Sequence, residues 1–140
     1  MSDFELHSRL AADSVLVVDG PLSQFRLMND ERYPWLLLVP RLAGVIEWID
    51  LDGDQQDRLR TELNRACKAL KSEPEVQKLN IGALGNIVPQ LHFHVIGRHE
   101  GDPAWPAPVW GHGEAHRYAP EVLQERVQYW KDKLGYPPHP

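Results

Sequence analysis

The residues best equipped for chemistry lie in one short stretch, Gln90-Leu91-His92-Phe93-His94. An imidazole is mostly neutral at pH 7, and its bare nitrogen can take a proton, bind a metal or attack phosphorus. In an extended strand successive side chains alternate faces. Gln90, His92 and His94 would therefore share one face, and Leu91, Phe93 and Val95 the other. Neighbours on the polar face would stand about 7 Å apart, from the rise per residue. Three groups that each donate and accept hydrogen bonds make a ladder able to hold phosphate oxygens. The same pair is compatible with acid–base, nucleophilic or metal chemistry, and also with a solvent-facing strand edge that happens to carry histidines.

The elements that must position this ladder are legible around it. QLHFHVIGR (90–98) reads as a strand, and KLNIGALGN (78–86) before it as a strand running into a glycine-bearing turn. Upstream, SVLVVDG (14–20) is short, β-branched and ended by Gly-Pro. QFRLMND (24–30) alternates Phe25 and Leu27 against Arg26 and Met28. PWLLLVPR (34–41) is an unbroken apolar run, the pattern of a strand buried on both faces. These three are close enough in sequence to form an antiparallel meander. From Gly53 to Ser72 the period changes, with Leu59, Leu63, Ala66, Cys67 and Leu70 on one side of a helix. Arg58, Arg60, Glu62, Arg65 and Lys68 fall on the other side. Ser2 and Glu5 resemble a capping box for a short helix through about Ala11, and a last helix is expected over roughly 120–134. The expectation is a single α+β domain over 1–140, with an antiparallel sheet packed on the long helix. Its core would span about 14–98, followed by a loop-rich tail (99–140) with one C-terminal helix.

Composition narrows the partners. The 140 residues suffice for one core without disulfides, and a net charge of −5 argues against broad binding to a nucleic acid polymer or an anionic membrane. A single nucleotide needs only a few donors and is not excluded. The one cysteine, Cys67, permits no internal disulfide and suits a reducing compartment; its place on the apolar stripe reads as plain core. The opening MSDFELHSRL has neither a basic n-region nor an apolar h-region, which predicts no secretory signal. The longest aliphatic–aromatic run, Trp35 to Val39, is far short of a bilayer span. A cytoplasmic location is expected.

The spacing of NIVPQLHFHVIGR resembles the signature of the histidine-triad (HIT) family: histidine–apolar–histidine–apolar–histidine followed by two apolar residues. Gly85 and Asn86 precede it as a glycine and a small polar amide do in that family, and QFRLMNDERYPWLLLVPR resembles the family's strand pair with an asparagine at the turn. The similarity in order and spacing runs from about Ser14 to Arg98. It implies an α+β HIT-like fold, a homodimer, and hydrolysis or transfer at a nucleoside phosphate such as a phosphoramidate or dinucleoside polyphosphate. His92 would be the nucleophile that forms a nucleotidyl-histidine, and His94 would contact phosphate and help the leaving group depart. Asn29 would bind the ribose hydroxyls. Asn86 and the backbone around Ile87 and Val88 would sit against the phosphates, with Asn80 contributing. No metal cofactor is implied for the covalent step, although a divalent ion could accompany a polyphosphate.

The sequence also departs from that pattern. Gln90 stands at the first triad position, where its amide and its backbone carbonyl remain available to orient His92. Asn86 and Ile87 stand where many members have glutamine and a hydroxyl residue, which removes a side-chain phosphate contact. Two rival readings stay open: a nucleotide-binding module without turnover, and a histidine-based metal-binding protein completed by His99, His112 or His116. Those three histidines read otherwise as surface residues. Asp50, Asp52 and Asp54 read as an acidic helix N-terminus rather than a calcium loop. Trp105 and Trp110 could form a base-stacking lid, a dimer contact or packing under the tail. Arg98 could reach a phosphate or only solvent.

Overall fold

The computed structural model describes residues 3–137. The chain runs α1 (Ser8–Asp13), β1 (Ser14–Asp19), β2 (Ser23–Met28), β3 (Trp35–Pro40), α2 (Gly53–Lys71), β4 (Lys78–Gly82), β5 (Phe93–Arg98) and α3 (Pro120–Leu134), with a short 3-10 turn at Trp48–Asp50 before α2. The five strands form one antiparallel sheet in the order β1-β2-β3-β5-β4. The expected meander is its first half.

β3 explains how the sheet can carry two cores. All six of its residues are buried. Leu36 and Leu38 join Phe25, Leu59, Leu70 and Val95 under α2 and α3, while Trp35, Leu37 and Val39 join Leu10, Tyr33 and Ile96 on the opposite face. A strand covered on both sides has no polar face to alternate with, which is why its sequence is a continuous apolar run. α2 begins on a reciprocal cap: Asp52 accepts from the Gln55 N–H at 2.8 Å and Gln55 accepts from the Asp52 N–H at 2.9 Å. The acidic run is thus a helix N-terminus, as its charge favours. Cys67 is half-buried against the first core, and burial pushes its thiol up from the ordinary range.

Four expectations need correction. The first helix starts at Ser8, where the Nδ1 of His7 accepts from the Arg9 N–H at 3.0 Å. Glu5 lies before it in irregular chain, and Ser2 lies outside the described residues. β2 ends at Met28, since Asp30 turns the chain by accepting from the Arg32 N–H. β4 covers Lys78–Gly82 before the turn, as expected, but β5 begins at Phe93 rather than Gln90: β4 pairs along it no further than His94, and the Leu91 N–H donates to the Val45 carbonyl instead. Glu62, on the nominally polar side of α2, is 1% exposed. Its Oε2 accepts from the N–H groups of Leu22 and Ser23, each at 3.0 Å, and ties the β1–β2 turn to the helix. Gly20 leaves room for that carboxylate, since a Cβ there would meet Oε2 at 2.5 Å.

Candidate active site

His92 and His94 lie on the face of the sheet opposite α2, each 6% exposed. Val95 goes to the α2 core and Ile96 to the opposite one, so the alternation expected of an extended strand holds through β5. The two imidazole rings are 5.0 Å apart, closer than neighbours on an ideal strand. Burial pushes the His92 imidazole below its ordinary range; the Gln90 carbonyl works against that shift and the His7 imidazole adds to it. His94 is brought down further, to about 3, by burial and by the neighbouring His92.

Each ring has one nitrogen committed. The Nδ1 of His92 is 2.7 Å from the backbone carbonyl of Gln90. A carbonyl oxygen only accepts, so Nδ1 carries the proton and the neutral ring has a bare Nε2. At His94 the indole N–H of Trp35 donates to Nδ1 at 3.0 Å. Trp35 sits opposite Ile96 and Leu37 opposite His94, which places the indole on the diagonal from the imidazole. The ring of Trp110 covers His94 from another side, centroid to centroid 5.4 Å. Gly82 makes that cover possible, because a Cβ there would meet the Trp110 ring at 2.9 Å.

The two histidines open onto a cavity of ≈ 330 Å³. Asn86, Ile87 and Val88, which the resemblance set against the phosphates, line it, following a turn at Gly85 with φ +70°. Leu10, Met28, Leu84, Trp35 and Trp110 make much of the remaining wall apolar. Arg9 and Asp13 supply its charges, with Asp13 paired to Arg117 at 3.6 Å. Sequence reasoning missed the contributions of α1, Trp35 and Gly82; none carries a local signal, since each acts through a neighbour distant in the chain.

Other expected site residues lie elsewhere. Gln90 turns its side chain to the N-terminal segment, accepting from the His7 N–H and donating to the Glu5 carbonyl, each at 2.9 Å. Arg98 faces neither the cavity nor solvent. It is 1% exposed, with Nε and Nη2 on the two oxygens of Asp102 and Nη2 also on the Ala107 carbonyl. Its Nη1 donates to the Asn80 side-chain oxygen at 2.8 Å, so Asn80 belongs to this buried network and not to the cavity. The hairpin register that pairs Lys78 with Arg98 brings them together. Asn29, next to Met28 on the cavity wall, is not itself among the lining residues; its Oδ1 accepts from the Tyr118 N–H at 2.9 Å and holds the tail. Among the described residues no group of three or more His, Cys, Asp or Glu side chains is arranged to hold a metal ion. His112 and His116 are exposed, and His99 is half-buried at the Arg98–Asp102 loop.

Comparison with known proteins agrees with this architecture. The family model for the HIT domain matches residues 9–101. A histidine triad protein from Bradyrhizobium japonicum is similar at 46% identity and TM-score 0.89, over 94% of this chain and 98% of that one. Histidine triad proteins from Sinorhizobium meliloti and Marinobacter aquaeolei are each 44% identical with TM-score 0.86; each match covers 94% of this chain, and 95% and 93% of theirs. No curated protein matches the chain.

Proposed function

The chain belongs to the HIT domain family, and from that premise we propose that it is a nucleotide hydrolase or nucleotidyl transferase working through a covalent intermediate on His92. The observation that carries this reading is the fixed tautomer of His92, with Nδ1–H on the Gln90 carbonyl and a bare Nε2 beside the cavity. Nε2 attacks the phosphorus of a nucleoside phosphate, the bond to the leaving group breaks, and the leaving group takes the bonding pair. The ring becomes cationic while phosphorylated, and the Gln90 carbonyl, already on Nδ1–H, stabilises that charge. Water then attacks phosphorus, the pair returns to Nε2 and the water proton passes to solvent; another nucleophile in place of water gives transfer. Apolar walls from Leu10, Met28 and Ile87 suit a base, and the turn at Asn86 suits phosphate. An imidazole nucleophile requires no metal-activated water for the first step.

Gln90, the feature that argues for a binding module without turnover, is compatible with this reading. The carbonyl that orients His92 is kept whatever the side chain, and the side chain has a definite structural task. We also propose a cytoplasmic homodimer. β4 is an unpaired edge of the sheet, and Ile81 on it and the adjacent Trp48 are 52% and 39% exposed, an apolar patch suited to a second copy.

The test is His92→Ala, assayed for mononucleotide release from adenosine and guanosine phosphoramidates and dinucleoside polyphosphates. Loss of a covalent nucleophile should lower kcat by roughly 10³-fold or more. Radiolabelled nucleotide should be trapped on the wild-type protein and not on the variant. A variant retaining about a tenth of the rate would place the nucleophile elsewhere.

A further inference from the structure

Resting on that hydrolase reading, we propose that Trp35 is a positioning residue that fixes His94 as a hydrogen-bond donor unable to act as an acid. The site would then favour nucleotides whose leaving group departs as a stable anion, a phosphate or a carboxylate, over those that must expel an alkylamine.

The argument starts from what an indole can do. Its N–H is a donor with no acceptor function. Trp35 and His94 are each 6% exposed, so little water is available to take the place of the bond between them at 3.0 Å. Nδ1 of His94 must therefore be the acceptor, and the neutral ring carries its proton on Nε2. Conversion to imidazolium would add a proton at Nδ1, facing the indole N–H donor to donor in a buried site. The direction of the His94 shift, down to about 3, agrees. Trp35 has little freedom to yield: β3 is paired on both sides, and its ring packs edge-on against Tyr33 with centroids 6.2 Å apart.

Consequences for the reaction follow from proton counting. A neutral imidazole that gives up Nε2–H becomes an imidazolate, which is out of reach near pH 7. His94 can hydrogen-bond a phosphoryl or leaving-group oxygen, but the proton stays on its nitrogen. Among the described residues, no other group on the cavity wall fills the gap. Asp13 is a carboxylate held by Arg117, Arg9 is a guanidinium that does not deprotonate, and the Nδ1–H of His92 is committed to the Gln90 carbonyl. His7 is not among the cavity-lining residues, and its Nδ1 accepts the Arg9 N–H. When His92 Nε2 bonds to phosphorus, the bond to the leaving group must break with the electron pair leaving unprotonated. A carboxylate or phosphate accommodates that pair as a weak base, whereas an alkylamine leaving without a proton would depart as the amide anion, a far stronger base, and leaves as the neutral amine only if an acid supplies one.

Two measurements test this. Ring ¹⁵N NMR of the wild-type protein near neutral pH should show His94 with Nδ1 unprotonated and Nε2 protonated. In Trp35→Phe, which keeps an aromatic ring and removes the donor, that single tautomer should be lost. In kinetics, wild-type kcat/KM for an alkylamine adenosine phosphoramidate should fall below that for an acyl adenylate or a diadenosine polyphosphate by roughly 10²–10⁴-fold, the contribution of a missing general acid. Trp35→Phe should narrow that gap. A protonated Nδ1 on wild-type His94, or amine and anhydride substrates cleaved within about tenfold of each other, would overturn this inference alone. If no substrate turns over and none labels His92, the hydrolase reading falls and the leaving-group preference falls with it.

Discussion

At the residue scale the environment of the proposed nucleophile does two things at once. Burial lowers the His92 imidazole, and the Gln90 carbonyl holds its tautomer. The neutral ring is the attacking form, so a lowered value keeps it competent below the pH at which a free histidine would charge. The acid limb of kcat/KM should therefore fall below about pH 6.5, the ordinary imidazole value. A pH–rate profile with its limb at or above that value would show that His92 is more solvated than the fold allows. Gln90 makes a separate prediction. Its side chain holds the segment at Glu5 and His7 rather than the substrate, so Gln90→Ala should change kcat less than tenfold, below about 1.4 kcal/mol in the barrier. The same variant should cost roughly 1–2 kcal/mol of stability for two hydrogen bonds, read by chemical denaturation.

At the element scale the β4–β5 hairpin has a buried charge at its end. Burial works to raise the Asp102 carboxyl, but Arg98 and the backbone N–H groups of His99 and Trp105 overcome it and bring the group down to about 2. Arg98 closes the loop after β5 through Asp102 and the Ala107 carbonyl, and it ties in β4 through Asn80. Arg98→Met should destabilise the protein by about 3–5 kcal/mol, because the carboxylate is left buried without its partner. A loss below about 1 kcal/mol in equilibrium unfolding would mean that water relieves the site. The free edge of β4 carries the other prediction at this scale. Ile81→Lys puts a charge in the exposed patch and should shift the proposed dimer to monomer in analytical ultracentrifugation. An unchanged mass would move the interface elsewhere.

At the scale of the whole molecule, the two lowered imidazoles make stability depend on pH. An unfolded histidine binds a proton near pH 6.5, while folded His94 does not until about 3. The unfolded state therefore binds more protons in between, and stability falls as pH drops through that window. The slope is at most about 1.4 kcal/mol per pH unit for each such group. Asp102 acts in the same direction in a lower window: its stabilisation is complete above the ordinary carboxylate range and is lost on the way down to about 2. Melting measured between about pH 6.5 and 5 should then report the imidazoles, and His94→Gln should flatten the slope there.

Much of this architecture could be read from periodicity. The apolar run of β3, the α2 stripe and the alternation around His92 each record burial that a single element imposes on its own residues. The spacing of His92 and His94 determined that two imidazoles would share a face, and the resemblance gave the family. Tertiary structure alone decided what those imidazoles touch. Trp35 meets His94 through the β3–β5 register, Trp110 covers it through the absence of a side chain at Gly82, and α1 adds Arg9 and Asp13 to the cavity. Arg98, beside the motif in sequence, was drawn into the core by Asp102, and Gln90 toward Glu5 and His7. A hydrogen bond or ion pair between residues far apart in the chain leaves no period in the sequence. Only the folded sheet, which sets which side chains stand within reach, determines it.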